Sequence, residues 1–427
     1  MSEVVNLLSA SSTSEYEALL VLAIVIVFGM FVGKLFEKIK IPNITGYIVA
    51  GLAVGGVLVI TDMDLVVDSL EVISSVALGF IAYGIGRELI FSKLKKSGKE
   101  VIVITIMQAL FTTVIVTLGL LAFNVDLAIA LIFGAIATAT EPASIMLLTK
   151  KLKTKGPLTD TLIPLVGLDD AVGIVIFGVL LSVGKSLNAG TDIKFFDIVR
   201  DPALEITFSI IIGIIFGVVV GLITNKIKMQ SDDKYETLLN LSLFGVFATV
   251  AIAKIGLNFG DTTIHLSPIL TPMVFGVTVA NMISKVKAHE TDLAVDKFTP
   301  PILVAFFTLA GAELVVAFFS QTDIVYGVII GTAVIYIGLR IVGKISGAWV
   351  GAKMMHSVDS VRKYLGLSLL PQAGVALGMA YQARTDFAED GVTILIVVLM
   401  ATLFYAFIGP IGVKHALIKS GEVTKLN

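Results

Sequence analysis

Apolar residues recur along this chain in runs of about twenty, separated by short stretches of charge and turn residues. A helix needs about 20 mainly apolar residues to cross the hydrocarbon of a bilayer. Reading for such runs predicts thirteen spans, at 15–36, 44–60, 67–88, 100–122, 126–149, 157–184, 203–225, 236–256, 265–284, 299–320, 323–351, 362–383 and 391–413. The connections between them are short, which leaves no room for a soluble domain. The chain therefore reads as an all-α membrane protein.

The polar positions give the spans a direction. Of 31 lysines and arginines, 24 fall after spans 1, 3, 5, 7, 9, 11 and 13, in segments such as KLFEKIK, RELIFSKLKKSGK and KKLKTK. Five fall on the opposite side: Lys185, Lys194, Arg200, Lys254 and Arg384. Loops rich in lysine and arginine stay cytoplasmic. The split predicts a multi-pass protein of the cytoplasmic membrane with its N-terminus outside and its C-terminus inside. The polar, acidic start MSEVVNLLSASSTSEYE lacks the basic opening of a cleaved signal.

Two six-helix units on either side of span 7 would have opposite orientations, the arrangement of an inverted repeat. Span 3 ends in GIGREL (Gly84–Leu89), and its counterpart, span 10, carries LAGAEL (Leu309–Leu314). Span 5 contains ATATEPAS (Ala137–Ser144), and span 12 contains LLPQAG (Leu369–Gly374). Pro142 and Pro371 each remove a donor and crowd the preceding turn, so both helices should break there. Non-helical backbone at membrane depth is tolerated only against protein or a watery cavity. A matched pair of broken helices is thus a pointer to a transport site.

Five ionisable residues lie deep in these runs: Glu141, Asp169, Asp170, Arg340 and Lys344. Each costs at least about 2.5–3.5 kcal/mol at a helix centre. Asp169 and Asp170, in LVGLDDAVGIVIF, point about 100° apart on a helix and can face one cavity. Two negative charges in a poor solvent call for a proton or a cation. A pair that takes either one is an exchanger, with Asp170 and Asp169 the ligands of the metal ion. Arg340 and Lys344 are four apart on one face. Lys344 is assigned to the aspartates, because a desolvated lysine releases its proton readily. Arg340 is expected to pair with Glu141. The hydroxyls of Thr138 and Thr140 either strip water from a cation or cap freed backbone groups. Glu88 and Glu313 sit nearer the interfaces and read as structural.

Composition removes other classes. Charged residues make up only 15 % of the chain, well below a soluble domain. A net charge of −2 gives no case for nucleic acid. There is no cysteine, and His265, His289, His356 and His415 are scattered, so no cofactor or structural metal is implied. A channel would need a carbonyl filter or ring of charge. An intramembrane aspartyl protease needs aspartates on two facing helices, whereas these are neighbours on one. Neither an enzyme nor a channel is expected.

The motifs also resemble a known family. IPNITGYIVAGLAVGG (Ile41–Gly56) resembles the second helix of bacterial and archaeal monovalent cation:proton antiporters. GREL, ATATEPAS, LDD and GKISG (Gly343–Gly347) resemble that family's Gly-x-Glu-Leu segment, unwound crossover helix, paired aspartates and membrane lysine. The resemblance spans essentially the whole chain. It implies thirteen helices in two inverted repeats, with spans 5 and 12 crossed and discontinuous, and an elevator-like cycle in a homodimer. It further implies scaffold and dimer helices at 1–98 and 231–322, a linker helix at 186–230, and transport helices at 99–185 and 323–427. Carried over residue by residue, Asp170 is the cation and proton ligand, Asp169 its partner, and Lys344 the competing base, in an electrogenic exchange of Na⁺, or Li⁺, for H⁺. Glu141 stands where many relatives carry aspartate or serine, and Arg340 resembles the arginine of electroneutral members. A K⁺/H⁺ antiporter, or a sodium-coupled organic-solute symporter on a similar fold, is the alternative. The symporter would call for Asn, Gln and Ser clusters at the crossover, where this chain offers carboxylates and threonines.

Overall fold

The computed structural model describes residues 2–38, 42–61, 70–188, 195–227, 234–259, 262–264, 266–320 and 326–423. Lys40, Ile41, Lys194, His265 and the first residues of the expected third span lie outside them. The helices run in chain order as α1 (Ser2–Lys38), α2 (Asn43–Ile60), α3 (Glu71–Glu88), α4 (Phe91–Ala122), α5 (Leu127–Ile136), α6 (Pro142–Leu152), α7 (Pro157–Asn188), α8 (Phe195–Lys226) and α9 (Lys234–Ile255). A short antiparallel hairpin follows, β1 (Leu257–Phe259) with β2 (Thr262–Ile264), pairing Asn258 with Thr263. The chain then continues through α10 (Leu270–Met282), α11 (Lys285–Ser320), α12 (Tyr326–Met354), α13 (Asp359–Ser368), α14 (Gly374–Asp386) and α15 (Ala388–Lys419).

Nine helices among the described residues are long and apolar enough to cross a membrane, and α5 and α10 are shorter apolar helices. Four expected spans are missing from the nine, each with a local cause. The third, α3, carries Glu71, Arg87 and Glu88 within its 18 residues. The expected fifth and twelfth spans are each two half-length helices, with non-helical backbone at 137–141 and 369–373. The expected ninth span starts later, at Leu270, because residues 266–269 ahead of it are not helical. Conversely, α11 begins at Lys285, fourteen residues ahead of the expected start, with polar residues that the hydropathy reading assigned to a loop. α4 also starts early, and Gly98 at φ 83° interrupts it.

Two compact units emerge. Met1–Leu78 with Val295–Val325 form the first, and Gly79–Ala294 with Tyr326–Asn427 the second. In the first, Val21 and Val25 of α1, Val54 and Leu58 of α2 and Leu309 of α11 share a core. There α2 and α11 meet at glycine: a β-carbon on Gly311 would stand 3.0 Å from the Gly51 Cα. In the second unit, Ile104 of α4, Leu162 and Leu165 of α7, Ala348 of α12 and Leu365 of α13 pack together. Large apolar side chains such as Phe31 on α1 and Ile215 and Leu222 on α8 are exposed. A water-facing helix rarely carries such a row, and a lipid-facing one does.

Candidate functional site

The site lies within the second unit, around the two helix breaks. At the first, α5 ends at Ile136, the chain unwinds through Ala137–Glu141, and Pro142 starts α6 at a position where its missing N–H is harmless. At the second, α13 ends at Ser368 and α14 resumes at Gly374. The breaks are tied together. The Glu141 N–H donates to Pro371 O at 3.0 Å, and Gln372 Nε2 donates to Ile136 O at 3.1 Å and Tyr336 Oη at 3.2 Å. Each break leaves carbonyls unpaired at the C-terminal end of a half-helix, where partial negative charge gathers.

Arg340 satisfies those carbonyls. Its Nε donates to Ala137 O at 3.0 Å, Nη1 to Leu370 O at 2.7 Å, and Nη2 to Ala139 O at 2.7 Å and Pro371 O at 3.5 Å. Its guanidinium also lies 4.4 Å from the Tyr405 ring centre. The sequence expectation of an Arg340–Glu141 ion pair is therefore corrected. The planar fork spends its donors on four carbonyls of both breaks, and helix-end dipoles supply the negative charge. Arg340 is a charge-compensating group for the backbone, not for a carboxylate. Glu141 instead accepts from Ser144 Oγ at 2.6 Å through Oε2, and its Oε1 has no partner among the described residues.

Lys344, one turn further along α12, reaches the first break and α7 together. It donates to Asp169 Oδ2 at 2.9 Å, to Thr140 Oγ1 at 2.8 Å and to Thr138 O. Asp169 also accepts from Thr140 Oγ1, on Oδ2, and from Gln108 Nε2, on Oδ1. Asp169, Lys344 and Gln108 are wholly buried. Asp170 is treated differently: it accepts the Thr140 N–H, at 3.4 Å. Of the paired carboxylates, one is saturated by protein donors and the other is held by a single long bond.

The expected residues Asp169, Asp170, Thr140 and Lys344 thus converge. Thr138 contributes its carbonyl, while its hydroxyl donates back to Ala135 O at 2.7 Å and serves the end of α5. Pro142 and Pro371 both sit at the breaks. Among the described residues no three His, Cys, Asp or Glu side chains gather in metal-binding geometry.

Sequence reasoning missed Gln108, Gln372, Tyr336 and Tyr405. A lone amide in the apolar run VIVITIMQALF was a signal for Gln108, since a buried amide needs partners. It also passed over the spacing Gly343, Gly347 and Gly351, three glycines four apart on α12. A β-carbon on each would stand 2.7, 2.7 and 2.9 Å from the Cα atoms of Thr112, Gln108 and Ile104 of α4. Small residues at this spacing let membrane helices pack backbone to backbone. That contact sets Gln108 and Lys344 on either side of Asp169.

Two broken helices tied together at their breaks, beside buried acids and bases, are the architecture of a secondary transporter of small ions. The chain belongs to the sodium/hydrogen exchanger transmembrane family, whose profile matches residues 20–419. It is a multi-pass membrane transporter and not an enzyme. It is 24 % identical over 405 residues to an ammonium/H⁺ antiporter subunit, AmhT, of Alkalihalophilus pseudofirmus, covering 93 % of this chain and 94 % of that one. It is 24 % identical to the Na⁺/H⁺ antiporter NhaP of Pseudomonas aeruginosa, covering 69 % and 68 %. Its fold matches the sodium proton antiporter MjNhaP1 of Methanocaldococcus jannaschii with a TM-score of 0.74, at 19 % identity over 96 % of this chain and all of that one.

Proposed function

We propose that the protein exchanges Na⁺ for H⁺ by alternating access, with Asp170 the carboxylate that carries either ion. The observation behind this reading is the asymmetry of the pair. Asp169 is engaged on both oxygens by Gln108, Thr140 and Lys344, whereas Asp170 receives one long N–H bond. A buried carboxylate with few protein partners is stable only with a proton or a cation on it. Exclusive occupancy by one or the other couples the two flows.

In this reading Asp169 is the fixed anion of the site and Lys344 the base whose charge competes with an arriving cation. If Lys344 gives up its proton when sodium binds, more than one proton moves per sodium and exchange is electrogenic. Thr140 and the Thr138 carbonyl then supply neutral oxygens, and Glu141, with one oxygen unpartnered, a nearby second acid. Residues 99–185 and 323–427 act as the transport helices, 186–230 as a linker helix, and 1–98 and 231–322 as scaffold. The protein works as a homodimer in the cytoplasmic membrane, with its N-terminus outside and its C-terminus in the cytoplasm; the distribution of lysine and arginine supports that orientation.

The name of the AmhT relative brings ammonium in as a second cargo of the same charge. Dissipation of a pH gradient in proteoliposomes, with Na⁺, Li⁺, K⁺ and NH₄⁺ added in turn and the voltage clamped, separates these cations and reads electrogenicity. Asp170→Asn should abolish the response to every cation while the protein remains folded. Near-normal exchange by Asp170→Asn would refute the assignment.

A further inference from the structure

Gln108 is fully buried on α4 and gives its amide N–H to Asp169 Oδ1, the oxygen that Lys344 and Thr140 do not use. Its own Oε1 has no donor among the described residues. A side chain that only fills space has no need of an amide, and an amide half satisfied in the interior is unfavourable. The backbone beneath it is held by the close approach of Gly347. The amide is therefore presented to Asp169 from a fixed point.

We propose that Gln108 is a positioning residue of the exchange site, which fixes the plane of the Asp169 carboxylate. The inference rests on the reading in which Asp169 is the fixed anion beside the cargo cation. Lys344 and Thr140 both serve Oδ2, and Thr140 also accepts from Lys344. Gln108 serves the other oxygen, from α4. A carboxylate held on one oxygen can turn about its last bond, whereas one held on both, from two helices, keeps a single plane. Without Gln108 the negative charge that Asp169 presents to a sodium ion at Asp170 loses its fixed direction. Gln108 thereby strengthens cation binding without touching the cation.

Gln108→Met keeps the length and apolar bulk of the side chain and removes the donor. In proteoliposomes containing the full chain, the apparent KM for Na⁺ at pH 7 should rise about tenfold, as expected for losing a hydrogen bond to a charged group. The rise in KM should exceed any fall in maximal rate. Gln108→Leu, which also lacks the donor, should raise KM likewise, and it decides the matter if the methionine variant does not fold. An unchanged KM, or a loss of rate that is the same at every sodium concentration, overturns the proposal. Asp170→Asn in the same preparation separates the two claims. If it is inactive while Gln108→Met behaves as wild type, only the role of Gln108 falls; if it exchanges normally, the site assignment itself falls.

Discussion

Lys344 Nζ lies 2.9 Å from Asp169 Oδ2, and neither side chain has any exposed surface. The two sit on α12 and α7, far apart in sequence, and meet beside the unwound segment at 137–141, where Lys344 also donates to Thr138 O and Thr140 Oγ1. Thr140 bridges them, donating to the acid and accepting from the base. The pair is neutral as a unit, and in the proposed exchange Asp170 beside it is the carboxylate left to take the mobile ion.

Removing one member of this pair should be worse than removing both. Lys344→Ala leaves Asp169 buried without its cation, and breaking a buried pair this way costs about 3–5 kcal/mol. Lys344→Ala with Asp169→Asn removes both charges and should recover a large part of that loss. Thermal unfolding in detergent checks this: the double variant should melt above Lys344→Ala. Equal melting temperatures would mean that the pair is not a stabilising unit.

Arg340 should not tolerate lysine. The guanidinium reaches four carbonyls on two breaks, and an ammonium has neither the planar fork nor the span to do so. Leaving two or more buried carbonyls unpaired costs about 3 kcal/mol or more. Arg340→Lys should lower the melting temperature strongly and slow exchange of every cation alike, since it disturbs both half-helix ends rather than cation choice. Wild-type stability for Arg340→Lys would show that water or other groups satisfy these carbonyls.

The sequence made the helices and the acidic pair legible, and it made their partners much less so. Runs of apolar residues mark each long helix because lipid imposes length and apolarity directly. Asp169, Asp170 and Lys344 stood out because charge is costly at that depth. Pro142 and Pro371 marked the breaks through the donor each lacks. Arg340 was assigned to the wrong partner because charge counting pairs ions with ions and does not see helix-end carbonyls as an acceptor. Gln108 carries no charge and interrupts no helix, so only its contact with Asp169 reveals it. The strands at 257–259 and 262–264 and the polar start of α11 escaped because hydropathy reports what lipid requires and not what folds beside it.

Glu422 should stabilise the helix that carries the aspartates from its far end. α7 begins at Pro157, and its first free donors, the N–H groups of Leu158 and Thr159, both go to the Glu422 carboxylate, at 2.6 and 2.8 Å. Thr159 Oγ1 adds a third bond at 2.7 Å, and the Lys155 N–H donates to Glu422 O at 3.1 Å. This is an N-cap supplied from the other end of the chain, with an acid placed at the positive end of a helix. Glu422→Ala should cost about 0.5–2 kcal/mol, read as a lowered melting temperature. Gly156→Ala should act similarly, because its β-carbon would stand 2.5 Å from Glu422 Cδ. A Glu422→Ala protein as stable as wild type would show that the tail is not what holds α7.

The glycine seam of α12 should matter only on the face that meets α4. At Gly347 a β-carbon would stand 2.7 Å from Gln108 Cα and 2.8 Å from Phe111 Cβ, and the first of these atoms is backbone that cannot swing aside. Gly347→Ala therefore has to push α4 away from α12. Gln108 moves with α4 and Lys344 with α12, so their shared grip on Asp169 loosens from both sides. Exchange and melting temperature should fall together. Gly338, on the same helix, has nothing within 4 Å of its β-carbon position. Alanine there only removes the backbone freedom of a helical glycine and should be neutral or stabilising by up to about 1 kcal/mol. Exchange assays and melting curves on the two variants test the seam against a built-in control: equal effects at both positions would mean that the helix–helix contact does not set the geometry of the site.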